Sequence, residues 1–312
     1  MKRRLLLAIP VAVAVVAVSG CATKTPEAGG TEPGANTTVE IKHAMGTTAV
    51  PASPKRVVVL DTDKIDTALT LGVTPVGAAR AGELNGWPTY FGPDATKGIK
   101  EVGTLQELNL EAIAALQPDL ILGSKFRQEK FYDELKKIAP TVFTENVGKP
   151  WKENFLLDGE ALGKKAKAAE LLAAYEKRAK DIKINRSLKV SVVRFLPDHI
   201  RVYGPDSFSG IVLTDAGVQR TAFQMLEGKQ DRRFEKVSPE RLADVDGDFI
   251  FVAAYGEKAA AEQAKVTGGA LWATLAGVKT GKVKVVADET WMTGIGVTAA
   301  HKILDDLEKN LS

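Results

Sequence analysis

Between Trp151 and Arg186 the chain runs WKENFLLDGEALGKKAKAAELLAAYEKRAKDIKINR without a proline. Ala, Leu, Lys and Glu dominate it, and all four are strong helix formers. Leu162, Ala166, Ala169 and Ala173 recur at helical spacing, and Leu172, Tyr175, Ala179 and Ile182 do so beside them. One face is therefore apolar and the other rich in Lys and Glu. Pro150 stops the preceding segment from running in helically. The pattern predicts one continuous helix, on the order of 45–50 Å long at roughly 1.5 Å per residue. A β/α-patterned segment lies on each side of it. A long surface helix on a single domain is one reading; a rigid connector between two lobes is the reading the flanks favour.

The first residues read as a processing segment. Lys2, Arg3 and Arg4 precede an apolar run, Leu5–Val18, that is too short to span a bilayer comfortably. Val18-Ser19-Gly20-Cys21 follows. It resembles a bacterial lipobox, which implies cleavage after residue 20 and lipidation of Cys21. Cys21 is the only cysteine, so no disulfide can form within the chain. Residues 21–38, rich in Thr, Pro, Gly and Glu, read as a flexible tether. Loss of Lys2, Arg3 and Arg4 takes the 42 basic residues to 39, against 39 acidic ones. That balance gives no argument for nucleic-acid binding.

The remaining body, residues 39–312, has room for two domains. In residues 39–150, strands are expected at 56–60, 73–79, 120–122 and 141–143, with helices at 61–71, 109–116 and 131–138. In residues 187–312, strands are expected at 189–195, 200–203, 249–253 and 282–286, with helices at 209–216, 239–245 and 298–311. In the first segment strand–helix alternation argues for a parallel sheet covered on both faces, and in the second the strand at 200–203 is expected to pair with the one at 189–195. The two halves also echo each other. NLEAIAALQPDLIL (109–122) lies over SPERLADVDGDFIF (238–251) at a constant offset, setting Glu111 on Glu240 and Asp119 on Asp248. Such repeats mark similar lobes.

Together with the lipobox, the stretches VGTLQELNLEAIAALQPDLIL, SVVRFLPDHIRVYGPDSFSGIVLTDAGV and WMTGIG resemble the substrate-binding lipoproteins of iron–siderophore, haem and cobalamin ABC importers. The resemblance covers the mature body. It implies an α/β fold of two Rossmann-like lobes, 39–150 and 187–312, joined by one long α-helix, 151–186, with the ligand cleft between the lobes. It further implies no enzymatic activity, a monomer lipid-anchored on the outer face of the cell membrane, and a permease dimer as partner, with Glu111 and Glu240 docking onto its arginines. The structural alternative for each glutamate is a favourable charge at a helix N-terminus.

A ferric siderophore already fills the coordination shell of its iron, so the protein needs aromatic faces and hydrogen-bond donors rather than metal ligands. Arginine suits the second task, because its planar fork keeps its charge. Loops following the expected strands supply Arg80, Trp87, Tyr90 and Arg127 in the first lobe and Arg194, Arg232, Tyr255 and Trp291 in the second. Within the resemblance, Arg194 in VVRF and Trp291 in WMTGIG match positions that contact ligand, although a loop tryptophan also often covers a core edge. The turn before Asn109, Thr104-Leu105-Gln106, lacks the arginine that some hydroxamate binders carry there. An Arg-plus-aromatic cleft without lysine clusters points to a weakly charged hydroxamate complex such as ferrioxamine.

Direct metal binding is disfavoured, because His43, His199 and His301 fall in unrelated segments. Haem would need an axial ligand such as Tyr90, Tyr203, Tyr255 or His199, and cobalamin would also use an aromatic cleft. A lipid-anchored hydrolase is the competing class, with Asp206 and Asp215 as a possible carboxylate pair. The G-x-S-x-G, G-x-x-x-x-G-K-[ST] and H-E-x-x-H patterns do not occur.

Overall fold

A computed structural model describes residues 37–82 and 86–312. The lipobox, Cys21 and most of the tether lie outside these residues. Among the described residues no helix is long and apolar enough to cross a membrane.

The chain enters through an antiparallel hairpin that the sequence reading did not anticipate, β1 (Thr38–His43) and β2 (Gly46–Pro51). It then builds the first sheet from β3 (Val57–Val59), β4 (Gly77–Arg80), β5 (Lys100–Thr104), β6 (Leu120–Ser124) and β7 (Thr141–Thr144). The strand order is β5-β4-β3-β6-β7, and every pairing is parallel. Because strand side chains alternate, Val57 and Val59 enter one hydrophobic cluster while Val58 and Leu60 enter another on the opposite face.

The second sheet comprises β8 (Lys189–Phe195), β9 (Ile200–Tyr203), β10 (Gln219–Arg220), β11 (Phe234–Val237), β12 (Phe249–Ala254) and β13 (Val283–Val285). Its order is β11-β9-β8-β12-β13, with β10 pairing on β8. Unlike the first sheet this one is mixed, and the expected pairing of 200–203 with 189–195 is present. After β8 the chain turns straight back, closing the turn with Leu196 N–H to the His199 carbonyl at 2.9 Å, so β9 runs antiparallel to both β8 and β11. Beyond β9 the strands β11, β8, β12 and β13 all point the same way.

The predicted single helix is two. One spans Trp151–Ala161 and the other Lys165–Asp181. The break is a Schellman motif: Gly163 N–H reaches the Glu160 carbonyl at 3.0 Å and Lys164 N–H reaches the Gly159 carbonyl at 2.7 Å. Gly163 has φ +68, and a Cβ there would stand 2.2 Å from the Ala52 carbonyl oxygen. Glycine is therefore required both for the left-handed turn and for space. The helices then fold onto each other, and a Cβ on Gly159 would lie 2.5 Å from that of Ala168. Trp151 fixes the arrangement, edge-on to Tyr175 and Phe208 at 5.2 and 5.5 Å between centroids.

The inner faces of both sheets, these two helices and the last helix, Val297–Leu311, share one hydrophobic cluster. The last helix packs on the Lys165–Asp181 helix and also on Thr62–Thr70 of the first lobe. Asp66 of that helix receives the Thr298 and Ala299 amides at 3.2 and 3.1 Å. This side-chain capping ties the first lobe to the end of the chain.

The repeated aspartates have a matching structural task. Asp119 accepts from the Lys55 and Arg56 amides, and its own N–H donates to the Arg56 carbonyl. Asp248 accepts from the Lys189 amide, and its N–H donates to the Lys189 carbonyl. Each clamps the entry of a central strand to the entry of its neighbour, so the echo is a real correspondence between lobes.

Candidate ligand-binding cleft

Ligands of open α/β sheets gather at the carboxyl ends of the strands. In the first lobe that edge is formed by Asp61 after β3, Arg80 at the end of β4 and Lys125-Phe126-Arg127 after β6. Asp61 is 1% exposed and caps the Thr62–Thr70 helix, receiving Thr62 N–H at 2.7 Å. It also accepts from Ser124 Oγ at 2.7 Å and from the Arg127 guanidinium. Burial pushes its carboxyl up, while the Arg127 charge pulls it down. Phe126, 54% exposed, stands beside that arginine, 5.7 Å from ring centroid to guanidinium carbon. Arg80 bonds Glu101 at 3.2 Å and the Gly82 carbonyl at 2.6 Å.

The second lobe repeats the device. Arg194, next to last in β8, donates Nε and Nη2 to the two oxygens of Asp288 at 2.6 and 2.7 Å. Its Nη1 donates to the Tyr203 hydroxyl at 3.1 Å, and its guanidinium lies 4.7 Å over the Tyr255 ring. Burial raises the Asp288 carboxyl against the pull of Arg194. Each lobe thus holds an arginine on a buried aspartate, next to an aromatic ring.

Between the lobes, a cleft of about 580 Å³ has Phe126, Val147 and Lys149 on one side and Asp206, Gln230 and Arg233 on the other. Asp206 takes Lys149 at 2.9 Å and Arg232 at 3.0 Å, so Arg232 lies at the cleft but is already paired. Asp215 is engaged by Lys152 and Tyr175, so the suggested Asp206–Asp215 carboxylate pair does not form. A larger hollow, about 640 Å³, lies on the outer face of the second sheet beside Pro197, Lys236 and Pro239.

Two proposed contacts are corrected. Trp291 is 0% exposed, packed 4.5 Å from Phe251, and its Nε1 donates to Asp306 at 2.7 Å. It is a core residue and offers no face to a ligand. Tyr90 spends its hydroxyl on Asp66 at 2.9 Å, and burial raises its phenol well above the usual range. It also packs so near Gly294 that a Cβ there would meet its hydroxyl at 2.7 Å, so it is a clasp between lobes. Trp87 lines an inter-lobe cavity of about 90 Å³ with Glu289 and Gly294, far smaller than ligand pockets of several hundred Å³.

Sequence reasoning missed Phe126 and Asp288. The first is flanked by basic residues directly after a strand, a signal present in the sequence. The second stands three residues before Trp291 and was passed over. The histidines are scattered: His43 accepts from the Phe143 amide, His199 bridges Asp198 and Arg201, and His301 lies edge-on to Tyr175. Glu111 and Glu240 are both exposed in the first turns of their helices, after β5 and β11. Since β5 and β11 run in the ligand-edge direction of their sheets, both glutamates stand at that edge.

The chain belongs to the Periplasmic binding protein family, whose pattern matches residues 57–290. It is a solute-binding protein of two α/β lobes and not an enzyme. It is 39% identical to the probable siderophore-binding lipoprotein YfiY of Bacillus subtilis, covering 99% of this chain and 98% of that one. The Fe(3+)-citrate-binding protein YfmC of the same organism is 30% identical, covering 96% and 94%. Among solved structures, Staphylococcus aureus SirA complexed with staphyloferrin B superposes with a TM-score of 0.75 at 36% identity, covering 88% of this chain and 99% of that one.

Proposed function

We propose that the protein is the capture component of a ferric-siderophore ABC importer. It is anchored through lipid on Cys21 at the outer face of the membrane, works as a monomer and passes its cargo to a permease dimer. Residues 39–150 and 187–312 act as the two lobes and 151–186 as their connection. The observation that carries this reading is the matched pair Arg127–Asp61 beside Phe126 and Arg194–Asp288 over Tyr255. A ferric chelate presents oxygen acceptors on a partly apolar frame. Guanidinium forks held in place by carboxylates answer the first, and aromatic faces the second. The siderophore-binding and Fe(3+)-citrate-binding relatives support the same class.

Within that class, the aromatic faces suit a weakly charged hydroxamate complex. The paired arginines suit an anionic, carboxylate-bearing chelate, and the citrate named for one relative favours this second reading. Tryptophan-fluorescence quenching on the chain lacking residues 1–21 separates them, with ferrioxamine, ferrichrome, ferric citrate, ferric enterobactin, haem and cobalamin as the panel. Sub-micromolar saturation by ferrioxamine or by ferric citrate assigns the class. Response to haem or cobalamin alone, or silence across the panel, refutes the siderophore reading. Charge reversal of Glu111 and Glu240 together should abolish uptake by cells while sparing affinity; unchanged uptake would refute docking through these residues.

A further inference from the structure

Beneath Arg127 lies a group of ionisable side chains that ligand binding alone does not need. Lys64 is 0% exposed, and its Nζ stands 3.0 Å from Asp63 and 2.8 Å from Asp158, while donating to Thr144 Oγ1 of β7 at 2.8 Å. Asp61, Asp63 and Asp158 are at most 2% exposed. From the end of β6 and the turn of helix after it, Ser124 and Arg127 face Asp61; from the Trp151–Ala161 helix, Asn154 donates to Asp63 at 3.0 Å. Lys125 is occupied by Glu145 at the surface. Three buried carboxylates therefore face one buried ammonium, and the second cation is Arg127, whose side chain is 24% exposed. Asp63 Oδ1 and Asp158 Oδ1 are buried and have no hydrogen-bond partner among the described residues.

A surplus negative charge in a dry interior is costly and is relieved by protonation. We propose that capture of an anionic ferric chelate at Arg127 is coupled to uptake of one proton from solvent by this buried cluster, with Asp158 the acceptor. The inference rests on the reading that the chelate engages Arg127. Anionic ligand oxygens on that guanidinium divide its charge with Asp61, so the carboxylates below lose part of their counter-charge. A proton then passes from hydronium or a buffer acid to an Asp158 carboxylate oxygen, so one O–H bond forms there as the donor's bond to that proton breaks. Burial already pushes Asp158 up to about 7, where a modest change in its surroundings alters its occupancy near neutral pH. Reciprocity of linkage then makes capture tighter as pH falls, by up to about tenfold per unit for one proton.

The test is calorimetric titration of the chain lacking residues 1–21 with ferric citrate at pH 7, in phosphate and in imidazole, with chelate-only blanks. Heats that differ between buffers by a fraction of a proton taken up, a difference lost in Asp158→Asn while binding persists, would establish the coupling. Equal heats in both buffers, or uptake unchanged in Asp158→Asn, would overturn it. Ligand-free Arg127→Gln provides a test independent of ligand choice. In aspartate carboxyl-carbon NMR titrations, the buried midpoint near 7 should rise, in the sense expected when an opposite charge is removed. An unmoved midpoint refutes the coupling, whereas a raised midpoint without citrate saturation keeps the coupling and rejects the ligand.

Discussion

Replacing Arg194 with Ala tests the claim that this side chain is a tethered donor rather than a solvated loop residue. The substitution strands Asp288, which is 6% exposed and receives two hydrogen bonds from the guanidinium. Breaking a buried ion pair by removing one partner costs about 3–5 kcal/mol. The stranded carboxyl has one escape, since it can take a proton. Neutralising an ordinary aspartate at pH 7 costs about 4 kcal/mol, whereas at pH 5 it costs only about 1.5 kcal/mol. The stability deficit of Arg194→Ala should therefore shrink by up to about 3 kcal/mol between pH 7 and pH 5. Asp288→Ala strands an arginine that cannot shed its charge, so its deficit should not shrink in this way. Urea unfolding of wild type and both variants at the two pH values gives the comparison. An equal Arg194→Ala deficit at both pH values would refute the argument, as would an unchanged stability at pH 7. Loss of ligand affinity in this variant must accordingly be measured where it remains folded.

Trp291→Phe should lose about 1–3 kcal/mol through a smaller buried ring and the lost bond to Asp306, yet leave chelate affinity within about threefold; a tenfold affinity loss at unchanged stability would return Trp291 to the ligand site. Gly163→Ala should cost about 2–4 kcal/mol, from a left-handed alanine and a Cβ pressed on the Ala52 carbonyl, and a loss below about 0.5 kcal/mol in circular-dichroism melts would show that the turn tolerates a side chain. Burial raises the Asp66 carboxyl to about 6, against the bonds from Tyr90, Ala299, Thr298 and Thr70. The native state therefore keeps a proton that the unfolded chain releases, and this contribution is present below the unfolded value and lost as pH rises through about 6. Relative to Asp66→Asn, the wild type should lose about 2.5 kcal/mol between pH 4 and pH 7.5. A difference independent of pH would refute the shift.

Much of the fold was legible because it depends on neighbours along the chain. Short apolar runs located β3, β6, β7, β8, β9, β12 and β13. The helices expected at 61–71 and 109–116 form at Thr62–Thr70 and Leu110–Ala115, capped by their near neighbours Asp61 and Asn109. The break at Gly163 is also local, set by a left-handed turn that apolar spacing does not report. The repeat of Asp119 and Asp248 reported a shared clamp before any strand pairing was known. The site was legible as residue types, since Arg127 and Arg194 follow or end strands and both stand at the ligand edge.

What the sequence could not decide was which side chains are spent inward. Trp291 and Tyr255 are both aromatic residues in loops after strands, yet the first is sealed against Phe251 and the second lies under Arg194. The partners of the two arginines stand 66 and 94 positions away, where no periodicity reaches. Local rules act within a helical turn or a strand pair, and they fix where an element starts and which face it buries. Whether a charge meets a counter-charge, or a ring meets solvent, depends on desolvation by segments distant in sequence, and that is settled only when the sheets and helices close over them.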